Sequence, residues 1–336
     1  MAEIKDKRSI ERTRLETVIP LETPFELQLA VASACNFRCT YCFQSDTKYL
    51  KEAELTKGVM NFELYKKIID DLDEFPNKIK VLRLMREGEP LVNKKFPDMV
   101  RYAKKKQPSV KIDTTTNASL LTPELSDEII DAGLDKIFFS IQAMNAETFT
   151  TIAGVKTDFE KIFENVIYFC ENRKNCKVYV KVPDIAVNES ERKEFFQLFD
   201  KYADQMFIEN IFPAWPNFDL DALKRNDGIG YYDTPLRSDP VVVCTLPFYD
   251  LTIAHTGIIT ACSIDWEHKT NFGDAKKQSL YEIWNSKIFN DFRRMQLRGE
   301  RFENELCEKC DALEYCEPDI IDDYAITLLD KYKYLP

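Results

Sequence analysis

The sequence predicts an α/β fold, a partial (β/α)6 TIM-type barrel followed by a small cysteine-bearing C-terminal domain. Three observations predict it. Strand-like and helix-like patterns alternate over the first two-thirds of the chain. A loop with three cysteines follows the first strand-like stretch. After Pro213-Ala214-Trp215-Pro216 the pattern changes to a shorter unit that holds four more spaced cysteines. Six βα units favour a parallel sheet, and right-handed crossovers curl it into an open or partial barrel.

Strand-like stretches cover 25–32, 80–84, 110–115, 136–141, 178–182 and 206–209. Amphipathic helices are expected near 61–74, 94–106, 123–132, 158–172 and 190–203. The pattern is clearest after Asp158, where Phe159, Ile162, Phe163, Val166, Ile167 and Cys170 share one face at i, i+3, i+4 spacing. Thr122-Pro123 reads as an N-cap followed by proline at the first helical position. Residues 217–240 read as an irregular linker with a turn at Asp227-Gly228. Beyond it, Val241-Val242-Val243-Cys244 and Leu251-Thr252-Ile253-Ala254 read as strands, His255-Thr256-Gly257 as a hairpin turn, and 279–297 as a helix.

Composition sets the bounds. The chain has 336 residues, 44% hydrophobic and 31% charged, with 23 Phe, enough to bury a large core. The net charge is −11 and no basic stripe stands out, which argues against a nucleic-acid backbone as partner. No run of 18 apolar residues predicts a membrane span. Met1-Ala2-Glu3-Ile4-Lys5-Asp6-Lys7-Arg8 lacks the apolar core of a signal peptide, so a cytoplasmic location is expected. Ten cysteines in a reducing compartment point to metal rather than disulfides. With only His255 and His268 present, histidine-rich metal sites and Ser-His-Asp machinery find little support.

The first cysteine group is Cys35, Cys39 and Cys42, spaced C-x3-C-x2-C. Three thiolates on one loop can hold three irons of a [4Fe–4S] cluster, which normally takes four cysteines. The remaining position stays open to a substrate or cosubstrate, the logic that catalytic zinc sites also use. The competing reading is a zinc or structural cysteine cluster, but zinc favours C-x2-C pairs summing to four ligands.

This loop, behind a first strand and ahead of βα units, resembles that of the radical S-adenosylmethionine (radical SAM) superfamily. The resemblance implies that S-adenosylmethionine chelates the open iron and is cleaved to a 5′-deoxyadenosyl radical, which abstracts hydrogen from a C–H bond. Further positions match. Tyr41 stands where the family often has an aromatic residue before the last cysteine. Gly88, Glu89 and Pro90 resemble the glycine-rich segment that receives the methionyl amine, with Glu87 replacing the usual preceding glycine, so a carbonyl or a carboxylate makes that contact. Thr116 and Asn117 follow the third strand where relatives often carry Thr-Asn-Gly. Ser140 and Gln142 end the fourth strand at a position that contacts ribose or carboxylate, and Lys181 could pair with the methionyl carboxylate. For each, a solvated or capping polar residue is the alternative. Their location favours a ligand role, because ligands of α/β sheets gather at the carboxyl ends of strands.

Cys244, Cys262, Cys307 and Cys310 form the second group, C-x17-C-x44-C-x2-C. With Gly257 preceding Cys262 and the run Leu280-Tyr281-Glu282-Ile283-Trp284 downstream, it resembles the SPASM/Twitch extension, whose cysteines bind auxiliary iron–sulfur clusters. Only Cys170, Cys176 and Cys316 remain, so one auxiliary [4Fe–4S] cluster is expected, two clusters in all. Cys316 could replace Cys310 as ligand, donate hydrogen to a substrate radical, or play no part. The expected organisation is an N-terminal extension 1–19, a radical SAM barrel 20–215, a linker 216–235, a SPASM/Twitch-like domain 236–318 and a tail 319–336.

The resemblance implies a radical SAM oxidoreductase, of dehydrogenase or epimerase type, acting on a carbohydrate-like small molecule such as a sugar or aminocyclitol. A flavodoxin- or ferredoxin-type reductant would supply electrons, with neither nucleic acid nor membrane as partner. A four-thiolate cluster suits acceptance of the electron lost by a ketyl-type radical, whereas an epimerase needs a thiol such as Cys316 or Cys176 to return hydrogen. Glu209, ending the sixth strand, is a candidate base or hydroxyl-binding group, with Asp184 and Asp265 as alternatives. Maturation of a ribosomal peptide is the second reading, lowered because only about 24 residues precede Phe25, fewer than the family's peptide-recognition domain needs. A non-catalytic metal-binding scaffold is the third.

Overall fold

The computed structural model describes residues 13–55, 57–212, 215–218, 229–230, 236, 239–316 and 319–336. The sequence readings at Met1–Arg8, Pro213-Ala214 and Asp227-Gly228 lie outside the described residues.

Six strands alternate with helices as the patterning requires. They are β1 (Glu26–Leu29), β2 (Val81–Arg83), β3 (Lys111–Thr116), β4 (Lys136–Ser140), β5 (Lys177–Pro183) and β6 (Gln205–Glu209). Each pairs in parallel with the next, and the sheet does not close. Leu27 and Leu29 of β1, Ile137 and Phe139 of β4 and Val178, Val180 and Val182 of β5 are all fully buried in one apolar core with the helix faces. Polar or half-buried aromatic residues alternate with them, Phe138 of β4 packing edge-on against Tyr179 of β5. Arg83 pairs with Glu26 and Asp113, and Gln28 donates to Asp250 at 2.9 Å.

The helices begin where the sequence supplies caps. Thr122 Oγ1 accepts from the Leu125 N–H, and Asp158 accepts from that of Lys161. One further helix, Ala146–Ala153, lies between β4 and Phe159–Asn172, with Asn145 as N-cap and Gly154 in the left-handed conformation at its end.

The C-terminal hairpin differs from expectation in detail. Val241-Val242-Val243-Cys244 forms no strand, because its backbone is taken by side chains. The Val242 N–H donates to Asp322 Oδ1 at 2.7 Å and that of Cys244 to Gln296 Oε1 at 3.3 Å. The hairpin itself is β7 (Asp250–Ile253) and β8 (Ile258–Thr260), followed by the short β9 (Gly273–Asp274). β7 pairs in parallel with β1, so the hairpin continues the barrel sheet. The helix expected over 279–297 is two, Leu280–Trp284 and Lys287–Leu297, broken at Asn285 and recapped by Ser286. No helix among the described residues is long and apolar enough to cross a membrane.

Candidate active site

The loop carrying Cys35, Cys39 and Cys42 leaves the carboxyl end of β1 and is gripped from two sides. On one side a Cβ on Gly88 would stand 2.4 Å from the Ala34 carbonyl oxygen and 2.7 Å from that of Ala32. On the other, Gly154, at φ 66°, would bring a Cβ to 2.2 Å from the Arg38 carbonyl oxygen. The Arg38 and Thr40 N–H groups donate to the carbonyls of Ala153 and Ile152. Only glycine permits both approaches. The Gly88 requirement was legible as a motif. That of Gly154 was missed, and its signal was the Asn145…Gly154 cap pair.

The three thiols sit within electrostatic reach of one another. Burial pushes Cys39 well up, and the charges of Cys42 and Cys35 push it further. Burial likewise raises Cys42 to about 12 and raises Cys35. None is in a disulfide. Replacing the three thiol protons with a cationic centre would relieve this cost, and the donor set suits a thiolate-held iron–sulfur cluster.

The candidate cosubstrate residues fall into two networks. In the first, Glu89 accepts from Thr116 Oγ1 at 2.6 Å, the Asn117 N–H at 2.8 Å and the Leu91 N–H at 3.0 Å. It is fully enclosed, so burial raises its pKa despite these bonds. The network locks the Gly88-Glu89-Pro90 turn to the end of β3. In the second, Tyr41 Oη donates to Gln142 Oε1 at 2.6 Å, and the Cys39 thiol lies 3.5 Å from the same oxygen. Gln142 Nε2 in turn donates to the Ser140 carbonyl at 3.0 Å. Beside them, Lys181 Nζ lies 2.6 and 2.7 Å from the two oxygens of Glu209, so Lys181 has a carboxylate partner within the chain.

The thiols of the second group also lie within electrostatic reach of one another. Burial raises Cys244 to about 12 and Cys307 to about 11, raises Cys310, and together with the charge of Cys244 puts Cys262 well up. Arg301 holds the C-x2-C turn, donating to the carbonyls of Cys307 at 3.0 Å and Cys310 at 2.9 Å. Gln296 links Cys244 to Cys307, accepting from the Cys244 N–H and donating to Cys307 Sγ at 3.6 Å.

Other candidates sit elsewhere. Cys316 follows the helix Ala312–Tyr315, and Tyr315 stacks on Phe212, just beyond β6, at 5.7 Å. Cys176 is buried at the amino end of β5, opposite the cysteine loop, which removes it as a hydrogen donor. Cys170 is buried in the core, as its helix face implies. Asp265 is fully buried and accepts from the Lys269 and Thr270 N–H groups, closing its own loop. Asp184 accepts from the Ile211 N–H at 2.9 Å.

A parallel βα sheet with a three-thiol loop at the carboxyl end of β1 and a separate four-thiol set suits an iron–sulfur protein built on a partial barrel. Residues 29–199 match the Radical SAM superfamily and residues 244–311 the SPASM iron–sulfur cluster-binding domain. The chain belongs to the radical SAM superfamily and is a radical SAM enzyme with a SPASM domain, and its cofactors are [4Fe–4S] clusters and S-adenosylmethionine. It is 27% identical over 342 residues to the tungsten-containing aldehyde ferredoxin oxidoreductase cofactor-modifying protein of Pyrococcus furiosus, covering 87% of this chain and 88% of that protein. Its fold is similar to that of BtrN, solved in complex with AdoMet and 2-DOIA, with TM-score 0.56, 19% identity and coverage of 85% and 92%. It is similar also to Streptococcus suis SuiB, solved bound to the precursor peptide SuiA, with TM-score 0.59, 16% identity and coverage of 90% and 73%.

Proposed function

We propose that this enzyme oxidises or epimerises a polyhydroxylated small molecule, a sugar or aminocyclitol, after abstraction of a carbon-bound hydrogen. When bound at Cys35, Cys39 and Cys42, the cluster with S-adenosylmethionine supplies the 5′-deoxyadenosyl radical for that abstraction. Cys244, Cys262, Cys307 and Cys310 would hold the auxiliary cluster, which would take the one electron that oxidation of the substrate radical releases. The residues of the chain do the rest. The Gly88-Glu89-Pro90 turn, tied to Thr116 and Asn117, receives the methionyl amine. Tyr41, Gln142 and Ser140 order the cysteine loop against β4. Glu209, with Lys181 against both its oxygens, accepts the hydroxyl proton of the substrate. Cys316 is the candidate hydrogen donor for epimerisation.

The observation that carries this reading is the Lys181–Glu209 pair beside the Tyr41–Gln142 bond, a compact polar wall at the carboxyl ends of β4 to β6. Such a wall suits hydroxyl and amine recognition. The Pyrococcus furiosus relative, named for modifying a cofactor, supports a small-molecule substrate. The likeness to SuiB with its peptide supports peptide modification as the second reading.

The test is anaerobic reconstitution, a flavodoxin- or ferredoxin-type reductant or dithionite, S-adenosylmethionine and carbon-deuterated polyols. Deuterium in 5′-deoxyadenosine is the expected result. Transfer from peptides alone would favour the second reading. A chain that keeps a binding partner but makes no 5′-deoxyadenosine would be a scaffold.

A further inference from the structure

Neither the cosubstrate contacts nor the thiol sets account for Arg86. Its side chain is 1% exposed, and one nitrogen, Nη2, meets three acceptors on the segment that carries Cys262. These are Thr260 Oγ1 at 3.0 Å, the Cys262 carbonyl at 3.2 Å and the Asp265 carbonyl at 2.6 Å. Nη1 stands 2.8 Å from Glu87 Oε1, a charge contact without hydrogen-bond alignment. The same Glu87 oxygen lies 2.6 Å from His268 Nε2, six residues beyond Cys262. Burial opposes the Glu87 charge, but Arg86 and His268 outweigh it and hold the carboxyl below its usual range.

The other side of Glu87 is anchored to the first thiol loop. Gln44 Nε2 donates both to the Glu87 carbonyl at 2.9 Å and to the Ser33 carbonyl at 2.8 Å. The next residue, Gly88, abuts the Ala34 carbonyl. Arg86 and Glu87 therefore stand between two loops whose nearest thiols are about 220 residues apart in sequence. A buried ion pair is a weak source of net stability, because desolvating two charges offsets their attraction. What it supplies is one geometry. Here two of the three Arg86 acceptors are backbone carbonyls, so the path of the loop itself is fixed, whatever its side chains.

We propose that Arg86 and Glu87, with His268, are positioning residues that register the Cys262 loop against the Gly88 turn and so fix the auxiliary ligand set relative to the cosubstrate site. The proposal goes beyond the substrate reading and is independent of it.

Arg86→Lys keeps the charge and loses the planar fork, and Glu87→Gln keeps the shape and loses the charge. Two readouts apply to the full chain. The first is amide hydrogen exchange over residues 258–270 of the metal-free protein. The second is low-temperature electron paramagnetic resonance of the reduced, reconstituted protein, with Cys35→Ala identifying the auxiliary signal. Arg86→Lys should speed exchange over 258–270 by about tenfold or more while β3 to β5 stay protected. The auxiliary signal should shift or broaden and the other remain. Glu87→Gln should move both readouts in the same direction by less. Unchanged exchange and spectra in both variants would overturn the proposal. So would faster exchange throughout β1 to β6, which marks a general core contact. The metal-free arm reads the latch even if the cluster assignment fails, so the two failures are distinct.

Discussion

Gly154 and Arg38 touch backbone to backbone, with no room for a methyl group between them. The contact ties the end of the helix Ala146–Ala153 to the middle of the C-x3-C-x2-C loop. Gly154→Ala meets two penalties, a positive φ and a blocked approach. We expect a loss of about 2 kcal/mol or more in stability. Iron retained at the first site should fall, while iron at the second persists. Full loading with an unchanged melting temperature would count against the contact as a constraint.

Iron analysis separates the two thiol sets. The intact chain should take up about eight irons on reconstitution. Replacing Cys35, Cys39 and Cys42 with alanine should leave about four irons and abolish formation of 5′-deoxyadenosine. Replacing Cys244, Cys262, Cys307 and Cys310 should also leave about four, with cosubstrate cleavage retained. A wild-type count near four would remove the auxiliary cluster.

The raised thiols make the metal-free chain alkali-sensitive. Cys42 and Cys244 move from 9.0 to about 12. In the unfolded chain they ionise near 9, whereas in the fold they stay neutral until about 12. Their stabilising contribution is fully present below the unfolded value and is lost as pH rises toward the folded one. Urea denaturation of the metal-free protein should show a falling midpoint between about pH 9 and about pH 12. The double variant Cys42→Ala, Cys244→Ala should flatten that fall. Iron uptake has the opposite sign, because coordination releases thiol protons and so strengthens with pH.

Lys181 and Glu209 separate chemistry from stability. Glu209→Gln should leave cosubstrate cleavage within about threefold and cut product formation about 100-fold, the scale of a lost proton acceptor. Lys181→Met removes the cation that meets both oxygens of the largely buried Glu209 carboxylate and should cost about 2 kcal/mol in chemical denaturation. Equal loss of cleavage and product in Glu209→Gln would move Glu209 from substrate to cosubstrate.

The barrel was legible because β1 to β6 alternate with amphipathic helices, and periodicity is a local signal. The cysteine loop was legible because its ligands lie within eight residues. The helix at Ala146–Ala153 was not, being short and rich in threonine and alanine, although its caps were in view. Val241–Cys244 misled because three valines favour a strand in isolation, while Asp322 and Gln296 claim its N–H groups in the fold. Arg86 carried no local sign at all. Its acceptors lie on Thr260, Cys262 and Asp265, and only the pairing of β7 with β1 in the open sheet brings them within reach.

β1 is flanked by β2 on one side and β7 on the other, over only four residues, Glu26–Leu29. The strand that launches the first cysteine loop is thus a party wall, shared by both halves of the chemistry. Neither half can swing away as a hinged lid without stripping hydrogen bonds from the other. A single-residue insertion in β1 would mis-set both at once, and the chain should lose its two ligand sets in one cooperative collapse rather than in sequence.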